Sequence, residues 1–206
     1  MIIEDFSEEN KQPKRSNAAA RVFEAVLAAL MLLALLPLLL GVAILIRIES
    51  KGPAMFKQQR GGLHGRHFTI YKFRTMEHGR DNKRQYLNPF DGDPSITKIG
   101  NILRKTSIDE LPQLINIVKG DMSFIGPRPT VIDQTDNYDD YQKQRLMVKP
   151  GVTGLAQVSG RNSLSWDEKI DIDIDYINRK SLRLDMYILA QTIVKVFRTE
   201  EIYEKS

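Results

Sequence analysis

"AVLAALMLLALLPLLLGVAILI", residues 25–46, decides how the rest of this chain can fold. The run carries no charge and is long enough, at about 1.5 Å per helical residue, to cross the hydrocarbon core of a bilayer. It is too long for the apolar part of a signal peptide, and no small-residue cleavage site follows it. A retained membrane helix is therefore expected. Pro37 and Gly41 sit in its middle. A proline removes one hydrogen bond and crowds the preceding turn, so a kink is expected at Pro37. Lys11, Lys14, Arg15 and Arg21 precede the run, and Arg47, Lys51, Lys57 and Arg60 follow it. The positive-inside rule assigns both flanks to the cytoplasm. A helix that enters, bends at Pro37 and returns satisfies both flanks. A kinked single span satisfies one. The charges leave both arrangements open, and re-entrant backbone needs partners for its freed polar groups.

The rest of the composition narrows the chemistry. The chain has 206 residues, no cysteine and a net charge of +4. Disulfides, thiol nucleophiles and thiolate metal sites are excluded. The mild basic excess suits phosphate groups, on a lipid surface or on a substrate. His64, His67 and His78 lack suitably spaced partners and read as loop residues rather than ligands. No G-x-S-x-G suggests a serine hydrolase.

Beyond the apolar run the sequence turns soluble. "HFTIYKFRTM" (67–76) alternates and is rich in β-branched and aromatic residues, which predicts a strand. Residues 78–95 read as a polar loop, 96–119 as a helix in two pieces, 133–147 as a polar helix and 164–197 as a further helix. "KPGVTGLAQVSGR" (149–161) reads as a glycine-rich loop with a short strand.

"TSIDELPQL" (106–114) holds the adjacent acids Asp109 and Glu110, just after Arg104 and Lys105. Ser107 and Glu110 match a capping box, an ordinary helix start. Pro112 falls just past that first turn and makes the local backbone irregular, which suits a site better than a routine helix. Several basic elements accompany the pair. Lys72 and Arg74 are two apart on the expected strand, so both face one way. Arg128 stands between prolines in "GPRP", with the backbone fixed on either side. Lys149, Gly151, Gly154 and Arg161 belong to a loop whose N–H groups could approach an anion. Each element alone is weak; together they point to phosphate chemistry at a lipid surface. An aspartate can attack a phosphoryl group and hold it as an acyl phosphate. Mg²⁺ and fixed arginines would offset the charge repulsion.

"YKFRTM" (71–76), "IDELPQLINIVKGDMSFIGPRP" (108–129) and "KPGVTGLAQVSGRN" (149–162) closely resemble the bacterial sugar transferase family, the small monotopic phosphoglycosyl transferases. The likeness runs from about residue 20 to 197. It implies transfer of a sugar-1-phosphate from a UDP-sugar to undecaprenyl (polyprenyl) phosphate, with release of UMP and a need for Mg²⁺. The resemblance makes Asp109 the nucleophile and Glu110 its partner, the two together holding the metal. It makes Lys72 and Arg128 active-site groups, and Arg74, Lys149, Gln157 and Arg161 candidates for binding substrate phosphate. It implies a re-entrant helix broken at Leu36–Pro37, and so a monotopic protein on the cytoplasmic face of the bacterial inner membrane. Two departures stand out: Leu36 replaces a common serine, and Glu24 replaces a common aspartate. An N-acetylated amino sugar is the expected donor, although no residue selects it by physics. Membrane lipids and a second copy of the chain are the other expected partners; nucleic acid is not. A phosphohydrolase using the same Asp109, or a non-catalytic membrane scaffold, are the rival readings.

The expected fold is α/β and mostly helical: a compact membrane-seated domain with one re-entrant helix and amphipathic interfacial helices. Residues 1–20 form a polar tail, 21–48 the membrane helix, 49–198 the catalytic domain and 199–206 a C-terminal tail.

Overall fold

The structure, a computed structural model, describes residues 18–78, 93–160 and 163–198. The apolar run lies inside one helix, α1 (Ala18–Glu49), with Pro37 inside it. The helix is long and apolar enough to cross a membrane, and little of its apolar stretch is buried against the rest of the protein. One stripe of it meets the rest of the protein. Ala28, Leu32 and Leu35 pack on Phe68, Ile70, Leu114, Ile117 and Met122. Leu39, Val42 and Ile46 continue the stripe onto Phe73 and Leu103. These positions alternate steps of four and three, the spacing of one helical face. Leu30, Leu33, Leu36, Leu40, Ile44 and Leu45 stay exposed. A helix apolar on every side, with a single protein-facing stripe, leaves a large apolar surface that fits membrane association.

Both ends of α1 are fastened to the same domain. Near the start, Ser123 Oγ donates to Glu24 Oε1 at 2.5 Å. At the other end, the Ile99 N–H donates to Glu49 Oε1 at 3.1 Å. The Arg74 guanidinium donates to the Lys51 and Ser50 carbonyls at 2.8 and 3.0 Å, satisfying acceptors just beyond the helix terminus.

The expected strand is β2 (His67–Phe73). It pairs antiparallel with β1 (Met55–Gly61), in register from Met55 opposite Phe73 to Gly61 opposite His67. β1 was not expected, because "MFKQQRG" has no β-branched residue. The far edge of β2 is covered by Asn116, which donates to the Thr69 carbonyl at 2.7 Å and accepts from the Tyr71 N–H at 3.1 Å. An asparagine amide thus takes the place of a neighbouring strand.

Residues 98–119 form α2 (Lys98–Lys105), a 3₁₀ segment (Ile108–Gln113) and α3 (Leu114–Lys119). The parallel pair β3 (Ser123–Ile125) and β4 (Gly151–Thr153) follows, although far apart in sequence. Gly126 N–H donates to the Thr153 carbonyl and Gly151 N–H to the Pro127 carbonyl, at 2.9 and 3.0 Å. A Cβ on Gly151 would lie 2.1 Å from the Gly126 nitrogen, so only glycine permits this approach.

Three expectations need correction. Residues 133–147 are not one helix: α4 (Ile132–Asp136) stops, and a 3₁₀ segment (Gln142–Met147) begins anew. The Asp139 carboxylate accepts the Gln142 N–H at 2.8 Å and starts this second segment. The glycine-rich stretch after β4 is partly helical, as α5 (Leu155–Ser159). The long final helix is two, α6 (Trp166–Arg179) and α7 (Leu182–Arg198). Lys180 is non-helical (ψ 119°), and Ser181 Oγ accepts the Leu184 N–H at 3.3 Å to open α7. Tyr176, Ile177, Leu184 and Ile188 bury the joint.

Gly151→Ala is expected to lower the thermal midpoint sharply, by an amount equivalent to about 2 kcal/mol or more, because backbone must move to admit the methyl group. A thermal melt in detergent beside wild type checks this.

Candidate active site

Asp109 and Glu110 lie in the 3₁₀ segment between α2 and α3. The expected capping box is not formed. Ser107 is left-handed (φ 56°, ψ 16°) and its side chain makes no capping bond. The box at Ser165–Glu168, which opens α6, is complete in both directions. A non-glycine residue held at positive φ is uncommon and costs free energy, so the surroundings must hold this turn. Its irregular backbone agrees with the reading of Pro112, which sits within the 3₁₀ segment.

Glu110 is the electrostatic centre. Lys72 Nζ donates to its Oε1 at 2.9 Å. Arg128 Nη2 donates to the same oxygen at 2.7 Å, and Nη1 to Oε2 at 3.4 Å. Burial alone would raise this carboxyl, but the charges of Arg128 and Lys72 and their hydrogen bonds hold it well below the usual carboxylate range. Asp109 differs. Among the described residues its carboxylate makes no hydrogen bond or ion pair. Burial, then the neighbouring Glu110 charge, push it up to about 6, while Lys72, Arg104 and Arg128 pull the other way. Lys72 is lowered by burial in spite of Glu110. Two adjacent acids thus have divergent environments, an arrangement typical of divided roles.

Three separated elements build this site: β2 brings Lys72, the 3₁₀ segment the two acids, and the loop after β3 Arg128. The same cavity wall includes Arg60 and Arg104. Sequence reasoning gave neither a role. Arg60 lies on β1, on the same face of the hairpin as Lys72, because Phe56 sits opposite Lys72 and Arg60 opposite Phe68. Its Nη1 donates to the Pro129 carbonyl at 3.2 Å. Burial and the Arg128 charge lower its guanidinium to about 10. Arg104 donates from Nε to Thr75 Oγ1 at 2.8 Å, and its charge reaches Asp109. Its position five residues before Asp109 was the available signal.

The other expected site residues are not drawn to the acid pair. Arg74 lines the same cavity but does not share the task of Lys72, because its guanidinium turns to the carbonyls at the end of α1. Lys149 is surrounded by Glu24, Arg21 and Asp121 rather than the acid pair. Gln157 lines the cavity; its Nε2 donates to the Val152 carbonyl at 2.9 Å, and its Oε1 is buried without a partner among the described residues. Arg161 lies outside the described residues. Leu36 and Pro37 are exposed on α1, remote from the stripe that packs on the domain.

A model of the bacterial sugar transferase family matches residues 15–199. The chain belongs to the bacterial sugar transferase family. As a member it is an enzyme of the phosphoglycosyl transferase class. The sugar transferase EpsL of Bacillus subtilis, itself named as uncharacterized, is 43% identical over 89% of this chain and 90% of its own length. A UDP-glucose:undecaprenyl-phosphate glucose-1-phosphate transferase of Caulobacter vibrioides is 42% identical over 89% of this chain and 71% of its own. A UDP-N-acetylgalactosamine-undecaprenyl-phosphate N-acetylgalactosaminephosphotransferase of Aeromonas hydrophila is 44% identical, but the match spans 41% of that longer protein.

The Asp109 carboxyl is expected to titrate near pH 6 in carbon-13 NMR of aspartate-labelled protein. Glu110→Gln should move that titration down, since it removes a like charge and frees Lys72 and Arg128 to act on Asp109. An unmoved or raised titration in the variant would contradict the assigned cause.

Proposed function

We propose that this sugar transferase moves a sugar-1-phosphate from a UDP-sugar to undecaprenyl phosphate through a covalent intermediate on Asp109. The observation that carries the reading is the contrast between the two acids: Asp109 is unpartnered among the described residues, beside a Glu110 already engaged by Lys72 and Arg128. An Asp109 oxygen attacks the β-phosphorus of the donor. The bond from that phosphorus to the UMP oxygen breaks, and UMP leaves with the electron pair. The lipid phosphate oxygen then attacks the same phosphorus, the acyl–oxygen–phosphorus link breaks, and the Asp109 carboxylate is restored. Arg128, Lys72 and Arg60 supply positive charge beside the reacting diphosphate. Glu110 holds Lys72 and Arg128 in place.

Mg²⁺ is part of the proposal, with the unpartnered Asp109 carboxylate as its main protein ligand and Glu110, already engaged by Lys72 and Arg128, as the second. Among the described residues no group of three or more potential ligands occurs, so the protein offers the pair Asp109 and Glu110 at most. Mg²⁺ commonly takes one or two carboxylates and completes its shell from substrate phosphates and water. Held there, it would neutralise diphosphate charge.

The relatives' names spread over glucose, galactose and N-acetylgalactosamine. The N-acetylated donor expected from the sequence has support from one of these, and the proposal covers the UDP-hexose and UDP-N-acetylhexosamine class. Such transfer would be the first membrane step of glycan assembly. The proposed location is the cytoplasmic face of the inner membrane, with α1 re-entrant. Two observations support that arrangement: Glu24 near one end and Glu49 at the other bond the same domain, and Pro37 lies between them.

Purified protein given undecaprenyl phosphate, Mg²⁺ and a panel of UDP-sugars is expected to release UMP in a lipid-dependent manner. Asp109→Asn should lose about 10³-fold or more in turnover and show no phospho-sugar adduct by intact mass. Release of UDP instead would sink the reading. The rate should fall about tenfold per pH unit below about 6, as Asp109 protonates and ceases to be a nucleophile. For topology, the cysteine-free chain allows clean labelling. Cysteines at Ser16 and Lys51 should both resist an impermeant maleimide in intact cells and both react in inverted vesicles. Labelling of one from each side would establish a through-span.

A further inference from the structure

A buried ion pair lies behind the Arg128 loop, and the proposed reaction gives it no task. Arg145, in the 3₁₀ segment before β4, and Asp173, on α6, are 5% and 2% exposed. Arg145 donates to Asp173 Oδ2 from Nη2 at 2.6 Å and from Nε at 2.9 Å. Its Nη1 donates to the Tyr138 hydroxyl, and its guanidinium lies 5.1 Å from the centre of the Trp166 ring. A pair this deep is poor evidence of stabilisation, since well-packed apolar residues often serve as well or better. Its geometry shows another use. The same Nη2 reaches the main-chain carbonyl of Arg128 at 3.3 Å. The Tyr138 hydroxyl lies 2.8 Å from Thr130 Oγ1 and so ties down the next part of the loop. On the far side Arg60 holds the Pro129 carbonyl. Pro127 and Pro129 fix φ on both sides of Arg128, so little freedom remains except the tilt of its peptide unit. A bond to the Arg128 carbonyl controls that tilt, and with it the aim of the guanidinium at Glu110.

We propose that Arg145 and Asp173 are positioning residues for Arg128: the pair anchors the loop so that the Arg128 fork meets both Glu110 and the substrate diphosphate. This rests on the phosphoglycosyl transfer proposed above. Asp173 fixes the guanidinium of Arg145 through two nitrogens, and the residual N–H capacity then points at the loop. A lysine at 145 could keep the charge pair but lacks the fork needed to reach Asp173, Tyr138 and the Arg128 carbonyl together.

The test is a double-mutant cycle with R145K and R128A, read by kcat/KM for the best UDP-sugar and by UMP and uridine affinity. R145K should lose about 10- to 100-fold in kcat/KM, the order expected for a misplaced catalytic group. In the R128A background the same change should cost less than about threefold, because the residue it acts through is gone. R145K should weaken UMP binding about tenfold and leave uridine unchanged. An R145K effect of equal size in both backgrounds, or equal weakening of UMP and uridine, would overturn the proposal. Y138F, which keeps both charges, should show a smaller loss with the same dependence on Arg128, and decides the matter if R145K fails to give a cooperative melt. Wild-type protein without lipid-dependent UMP release would instead reject the proposed function.

Discussion

The structure turns on the neutralisation of one half-buried carboxylate. Glu110 accepts from Lys72 on β2 and from Arg128 on the loop after β3. Removing Lys72, the more enclosed of the two cations, would leave the half-buried Glu110 charge with only the solvent-facing Arg128 to offset it. The hairpin, the 3₁₀ turn and the proline-flanked loop must therefore converge. The left-handed Ser107 and the exclusion of a Cβ at Gly151 are local consequences. The backbone accepts strain at the turn and close contact beneath the loop because the ion cluster requires both positions.

The same convergence separates the two acids. With Lys72 and Arg128 directed at Glu110, Asp109 receives their charge only at a distance and pays the cost of burial, so its proton is held more tightly. A carboxylate without a strong partner is what the proposed attack on phosphorus requires. The basic groups that face Asp109 and Glu110 exceed them in charge, which favours an anionic ligand.

The long apolar helix α1 is part of this scaffold rather than a detachable element. Its packed stripe supplies Ala28 to the cluster that seats β2 and α3, and Val42 and Ile46 to the cluster that holds Phe73, next to Lys72. Arg74 illustrates the coupling. Its neighbour two residues back serves the acid pair, whereas Arg74 itself closes the end of α1. The apolar helix and the charged site are thus joined through neighbouring residues of a single strand end.

The sequence by itself determined the long apolar helix, the β2 strand, the irregular turn at Pro112 and the acid pair as the feature to explain. These depend on local rules: uninterrupted hydrophobicity, alternation and the missing N–H of proline. Only the tertiary structure decided which cations meet which acid. Lys72 and Arg74 look alike in sequence, and their separation depends on where β2 stops. Arg60 was hidden because β1 carries few strand-forming residues and exists through its pairing with β2. Arg145 and Asp173 read as unremarkable polar positions, since helical spacing gives no warning that two distant charges will be buried together. Charge pairing between remote segments depends on long-range packing, which no local pattern encodes.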